Sequence, residues 1–197
     1  MGFGAKPQRE RGFQIVLRIF IFAIIIIINF VLQTTLFPEF ALLGVTPDTA
    51  LVLIVSYGIL RGDIEGAIFG LFAGLVHDMM SGMFIGIFAL LGFLTGYICG
   101  KPFKDFFKDN YFLPFIIVVI ISVVYQFVLY ITTVMFTGQM DFLLYARAII
   151  LPRTIYTASL SIPLYSFMHF VNARIEKHER NIRSLFGKDL FGEQDED

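Results

Sequence analysis

A chain of 197 residues that is 57% hydrophobic and only 16% charged, with mean hydropathy +0.77, is not a soluble domain, for which roughly 25% charged residues is usual. A formal net charge of −1 gives no reason to expect a nucleic-acid partner. The single cysteine, Cys99, excludes an intramolecular disulfide and a cysteine metal cluster, and the length admits one membrane domain with no separate stretch able to bury its own core.

Residues 1–16 form a basic lead-in expected in the cytoplasm. The apolar run from Leu17 to Phe37 is too long for the core of a secretory leader and is expected to remain as a span. Hydropathy with Pro and Gly punctuation gives an all-α, polytopic membrane protein of six helices. They run from Leu17 to Leu36, Pro47 to Leu60, Ile64 to Met80, Phe84 to Gly100, Tyr111 to Phe136 and Leu144 to Val171. The membrane domain is thus residues 17–171, and residues 172–197 form an amphipathic segment ending in an acidic tail. The second helix is short for a bilayer about 30 Å thick, so it is expected to tilt little or to borrow residues from the loop before it.

Lys and Arg fall on alternate connections. Lys6, Arg9, Arg11 and Arg18, then Arg61, then Lys101, Lys104 and Lys108, then Arg174 and the basic residues after it share one side. The opposite loops carry only Glu39, Asp48 and Asp141 as charges. By the positive-inside rule both termini are expected in the cytoplasm. The segment "KPFKDFFKD" interleaves lysines with Phe103, Phe106 and Phe107, which suits a helical turn lying against lipid headgroups.

Glycines recur every fourth residue at Gly58, Gly62, Gly66, Gly70 and Gly74, and the next place in the series holds Asp78. In lipid, helices associate by close backbone approach, which small residues four apart permit. Gly66, Gly70 and Gly74 are therefore expected to form a packing ridge on the third helix. Gly92 and Gly96, with Gly100, repeat it on the fourth, and Gly82 with Gly86 tightens the turn between them. A compact bundle of the second, third and fourth helices follows.

Asp78, Arg147 and Arg153 are the membrane-embedded charges. A carboxylate in a span costs roughly 2.5 to 3.5 kcal/mol at mid-bilayer, so it is expected to be paired, capped or near an interface. Arg153 and Arg147 flank Pro152, which loosens the last helix by removing a backbone hydrogen bond, and they are the expected partners of Asp78. A backbone cap, a carboxylate meeting water at the interface and transport chemistry remain open. Asn29 with Gln33, and Ser122 with Gln126 and Thr133, are expected to hydrogen-bond between helices or, less simply, to line an outward pocket.

His77 points about 100° away from its neighbour Asp78, and His169 and His178 are distant in sequence. No metal site, cofactor, nucleophile motif, phosphate loop or paired-carboxylate arrangement is expected, so the chain is not expected to be an enzyme.

The stretch from Gly44 to Gly96 resembles the bacterial rod shape-determining family MreD. The landmarks are Pro47-Asp48 opening the second span, Tyr57-Gly58 and Arg61-Gly62 closing it, the small-residue third span ending in Asp78, and the turn from Ser81-Gly82 to Gly86. The resemblance implies a noncatalytic inner-membrane component of the cell-elongation machinery that supports peptidoglycan synthesis. Its implied partners are the single-span protein MreC, the actin-like filament protein, the wall synthases and membrane lipids. The family is also similar in fold to the substrate-binding components of energy-coupling-factor vitamin transporters, which supplies the alternative of a small-molecule-binding transporter component.

Overall fold

The structure, a computed structural model, describes residues 6–41, 44–81, 86–103, 112–137 and 141–191. These residues form α1 (Lys6–Thr35), α2 (Thr49–Arg61), α3 (Asp63–Ser81), α4 (Ile87–Phe103), α5 (Phe112–Thr137), α6 (Phe142–Tyr145), a π-helical turn (Ala146–Ile150) and α7 (Leu151–Phe191). All the regular structure among them is helical. Gly82, Lys104, Lys108 and residues 192–197 lie outside the described residues.

The helix at the centre is α2. Its 13 residues extend about 20 Å, too little to cross the hydrocarbon alone, yet all twelve residues from Thr49 to Leu60 are buried. A helix that is apolar on every side belongs inside other helices, and α1, α3, α4, α5 and α7 all pack on α2 or on its immediate neighbours. Asp48 starts the helix by accepting the Leu51 N–H on its carboxylate at 3.0 Å. Gly62 ends it at φ 100°, a left-handed conformation that only glycine adopts without strain. The same Gly62 donates its N–H to the Gly58 carbonyl at 2.8 Å and accepts the Gly66 N–H at 2.9 Å. One residue therefore terminates α2 and launches α3, making a hairpin with no loop.

Around this centre, an aromatic cluster ties three helices together. Phe22 of α1 meets Tyr57 of α2 edge-on at 4.2 Å between ring centres, and Tyr57 lies 4.6 Å from Phe69 of α3. On the other flank, α7 turns one stripe inward, with Thr157, Ser161, Tyr165, Met168 and Asn172 all buried at helical spacing.

The chain reaches α7 through a defect with an identifiable cause. The Leu151 N–H bonds to the Ala146 carbonyl, five residues back. Pro152 follows and has no N–H to give, so the ladder widens into a π turn just before it. α1 outruns the sequence expectation by beginning at Lys6, within the basic lead-in, while α7 continues past Val171 through the amphipathic segment, where the Glu176–Arg180 and Glu179–Arg183 pairs favour helix, as far as Phe191.

The bundle is apolar outside as well as in. Phe20, Ile64, Phe72, Met79, Ile120 and Ile155 are all more than half exposed, while Gln33, Asp48, Thr49, Asp78, Gln126 and Thr157 are buried. Pro114–Thr132 in α5 is long and apolar enough to cross a membrane, and Phe20–Thr35, Thr49–Arg61 and Ile87–Lys101 are shorter apolar helices.

Candidate functional site

Two features converge at one end of the bundle: a glycine seam that fixes how α3 and α4 cross, and two buried carboxylates that seat helix starts. Along the seam the two helices run antiparallel, and each step of four on one meets a step of four on the other. Gly66 lies against Gly96, Gly70 against Gly92, and Gly74 against Phe88 and Ala89. A Cβ on Gly70 would strike the Gly92 carbonyl, and one on Gly96 would strike that of Gly66. The seam extends to α2, since a Cβ on Gly58 would sit 2.8 Å from the Gly96 carbonyl oxygen. At its far end Gly100 abuts Gly62 and Asp63. Gly86 is not in the seam; at φ 99° it begins α4.

Asp78 occupies the place after Gly74, where α4 has just begun. Its Oδ1 accepts the Phe88 N–H at 3.1 Å and its Oδ2 accepts the Ala89 N–H at 3.0 Å. The first N–H groups of a helix have no partner within it, and Gly86 has no side-chain oxygen to offer. Asp78 thus does from α3 what a serine or aspartate cap does from within a helix, with its charge set against the positive end of the α4 dipole. His77, beside it, stacks on Phe88 with ring centres 4.3 Å apart and planes 5° from parallel.

The expected pairing of Asp78 with Arg153 or Arg147 is corrected here. Arg153 turns to Asp48, with Nη2 3.9 Å from Oδ2, and Arg147 is exposed in the π turn. The physical reason is that both oxygens of Asp78 are already engaged by backbone donors, whereas Asp48 spends only Oδ1 on its own helix. Among the described residues, Oδ2 of Asp48 and Nε of Arg153 are buried without a hydrogen-bond partner.

The Asp48 centre joins α1, α2 and α7. Its backbone N–H donates to the Thr157 hydroxyl at 2.9 Å. The Asn29 amide donates to the Thr49 hydroxyl at 2.8 Å, and that hydroxyl donates to Gln33 Oε1 at 3.2 Å. Gln33 Nε2 in turn reaches the Pro47 carbonyl at 3.4 Å. Ser122 joins Thr154 across α5 and α7 at 3.4 Å. Of these, sequence reading singled out Asn29, Gln33 and Ser122 but missed Asp48 and Thr157 as a junction. An aspartate just before an apolar run is a helix-start signal that marks Asp48; a threonine inside a span carries no comparable mark.

A small cavity between α1, α2 and α3 is lined by Asn29, Gln33, Phe69, Ala73 and His77 among others, with a volume of about 10 Å³. That is room for about one water, against roughly 300 Å³ or more for a small-molecule site. Among the described residues no group of three His, Cys, Asp or Glu side chains is placed to hold a metal. The polar residues at this end are arranged to hold helices in register.

The sequence model of a family described as rod shape-determining protein MreD matches residues 13–172. Neither the curated proteins nor the solved structures contain a match to this chain.

Proposed function

Because this chain belongs to the MreD family of rod shape-determining proteins, we propose that it is a noncatalytic, multi-pass subunit of the bacterial cell-elongation machinery, seated in the inner membrane with both termini in the cytoplasm. Its work is to present a rigid bundle to a single-span partner, MreC, and through it to the actin-like filament and the wall synthases that build peptidoglycan. The observation that carries this reading is the family match across residues 13–172, which runs from within α1 to the buried part of α7.

The polarity of the bundle supports it. Large apolar side chains face outward from α1, α3, α4, α5 and α7 while amides, hydroxyls and carboxylates are buried, the arrangement expected when the solvent is lipid. The polar groups inside are spent on helix starts and interhelical bonds. A vitamin-binding transporter component, the rival reading, needs a ligand chamber, and the cavity between α1, α2 and α3 is about 10 Å³.

Depleting the protein from its rod-shaped host tests the proposal. Cells should lose their cylindrical form and round up while vitamin uptake continues. Unchanged cell shape together with a lost uptake activity would replace this reading with the transporter one.

A further inference from the structure

Arg61 ends α2, and two of its guanidinium nitrogens, Nε and Nη2, are buried with no hydrogen-bond partner among the described residues. These two nitrogens form one edge of the planar group. Their N–H bonds run parallel, the fork that takes two oxygens of a single phosphate or carboxylate. Leaving such donors buried and unmet is costly, and more so on a cation.

The nearby carboxylates each accept a hydrogen bond from another donor. Asp63 Oδ1 accepts the Ile64 N–H at 2.9 Å, and Glu65 Oε2 accepts the Tyr57 hydroxyl at 3.2 Å. Among the described residues no carboxylate forms an ion pair with Arg61. A second cation stands at the same end: Gly100 abuts Gly62 and Asp63, and the next residue, Lys101, is exposed with Nζ 3.4 Å from the Tyr97 hydroxyl.

We infer that Arg61, with Lys101 beside it, receives the phosphoryl group of a phospholipid headgroup at this end of the bundle. Arg61 as a whole is only partly buried, so a rotamer change of its long side chain carries the fork to the headgroup layer and leaves the backbone in place. Lipid is the source at hand, because the faces of α3 and α4 beside this end expose Ile64, Ile68, Leu94 and Ile98. The inference rests on the membrane placement proposed above and is independent of the protein partner.

The test uses the full chain, delipidated in a neutral detergent, with the thermal midpoint followed as lipid is added. Phosphatidylglycerol should raise the midpoint saturably, and a galactolipid lacking phosphate should not. Arg61→Lys keeps the charge and loses the fork, so it should raise the phosphatidylglycerol concentration for half-maximal effect by about tenfold; Lys101→Gln should raise it by a smaller factor. An equal response to galactolipid, or an Arg61→Lys response equal to the wild type, overturns the inference. Inorganic phosphate reproducing the whole lipid effect overturns the headgroup as the source. If Arg61→Lys is not recovered folded, the wild-type comparison of the two lipids decides. None of these outcomes touches cell shape, so failure here is distinct from failure of the proposed function.

Discussion

Asp78 and Phe88 are joined by a hydrogen bond of 3.1 Å from the Phe88 N–H to the Asp78 carboxylate, across the turn between α3 and α4. It accounts for a carboxylate on a glycine ridge. The ridge lets two backbones meet, and where the second helix begins the meeting surface changes from carbonyls to bare N–H groups. Glycine serves the first surface and aspartate the second.

Replacing Asp78 should therefore cost stability without any arginine being involved. Asp78→Asn retains an acceptor for one N–H but loses the charge at the α4 terminus, an expected cost of about 1 to 2 kcal/mol. Asp78→Ala leaves both donors unmet and should cost about 2 to 3 kcal/mol. Thermal midpoints of the purified variants measure this. An exchange of charge between Asp78 and Arg153 should rescue nothing; a rescue would restore the ion-pair reading.

The seam predicts a ranking among glycines. Gly70→Ala drives a Cβ into the Gly92 carbonyl, a collision of backbone with side chain that no rotamer relieves, and should cost about 3 kcal/mol. Gly44→Ala meets open space and suffers only from φ +77°, about 1 kcal/mol. The yield of monodisperse protein on size exclusion should follow that order, and equal yields would show that α3 and α4 do not meet along these residues.

The glycine spacing makes the α3 and α4 ridges legible in the sequence because period four is a property of one helix at a time. The partners of Asp78 are not legible that way, since an N–H at the start of a helix has no residue type to mark it. Arg153 illustrates the other limit: its neighbour Asp48 stands far earlier in the chain, and only the parallel packing of α7 on α2 brings them together. Pro152 marks a weak point in the last helix, but whether the chain answers with a kink or the observed π turn depends on how Leu151 finds Ala146. The burial of α2 follows from its uniform apolarity, and the i,i+4 pairs Glu176–Arg180 and Glu179–Arg183 mark the helical continuation of α7 past residue 171, though not how far toward Phe191 it runs.

Removing Arg153 should hurt more than removing Arg147. Asp48 is nearly inaccessible, with its side chain 3% exposed, and Arg153→Met leaves that charge without its neighbour, an expected cost of about 3 kcal/mol. Arg147 is exposed, so Arg147→Met should stay within about 0.5 kcal/mol. Thr157→Val removes the acceptor of the Asp48 N–H and should cost about 1 to 3 kcal/mol. Denaturation of the three variants side by side checks the order, and a neutral Arg153→Met would mean that the 3.9 Å approach stabilises nothing.

The proposed orientation is open to direct labelling. Glu39 and Lys101 are both exposed and belong to opposite ends of the bundle, while the native Cys99 is 1% exposed and should stay silent. In intact cells an impermeant thiol reagent should modify Glu39→Cys and spare Lys101→Cys. Labelling of Lys101→Cys alone would invert the topology.

The claim that this bundle acts by docking a partner is tested most directly by recovering MreC with it from native membranes. Wild-type protein should bring down MreC in fixed proportion, and a bulky polar change on an outward face, such as Ile27→Gln on α1 or Val124→Gln on α5, should leave the amount of folded protein unchanged while reducing the MreC recovered several-fold at one of the two faces. The account is contradicted if wild-type protein brings down no MreC, or if every variant that loses MreC has also lost its fold.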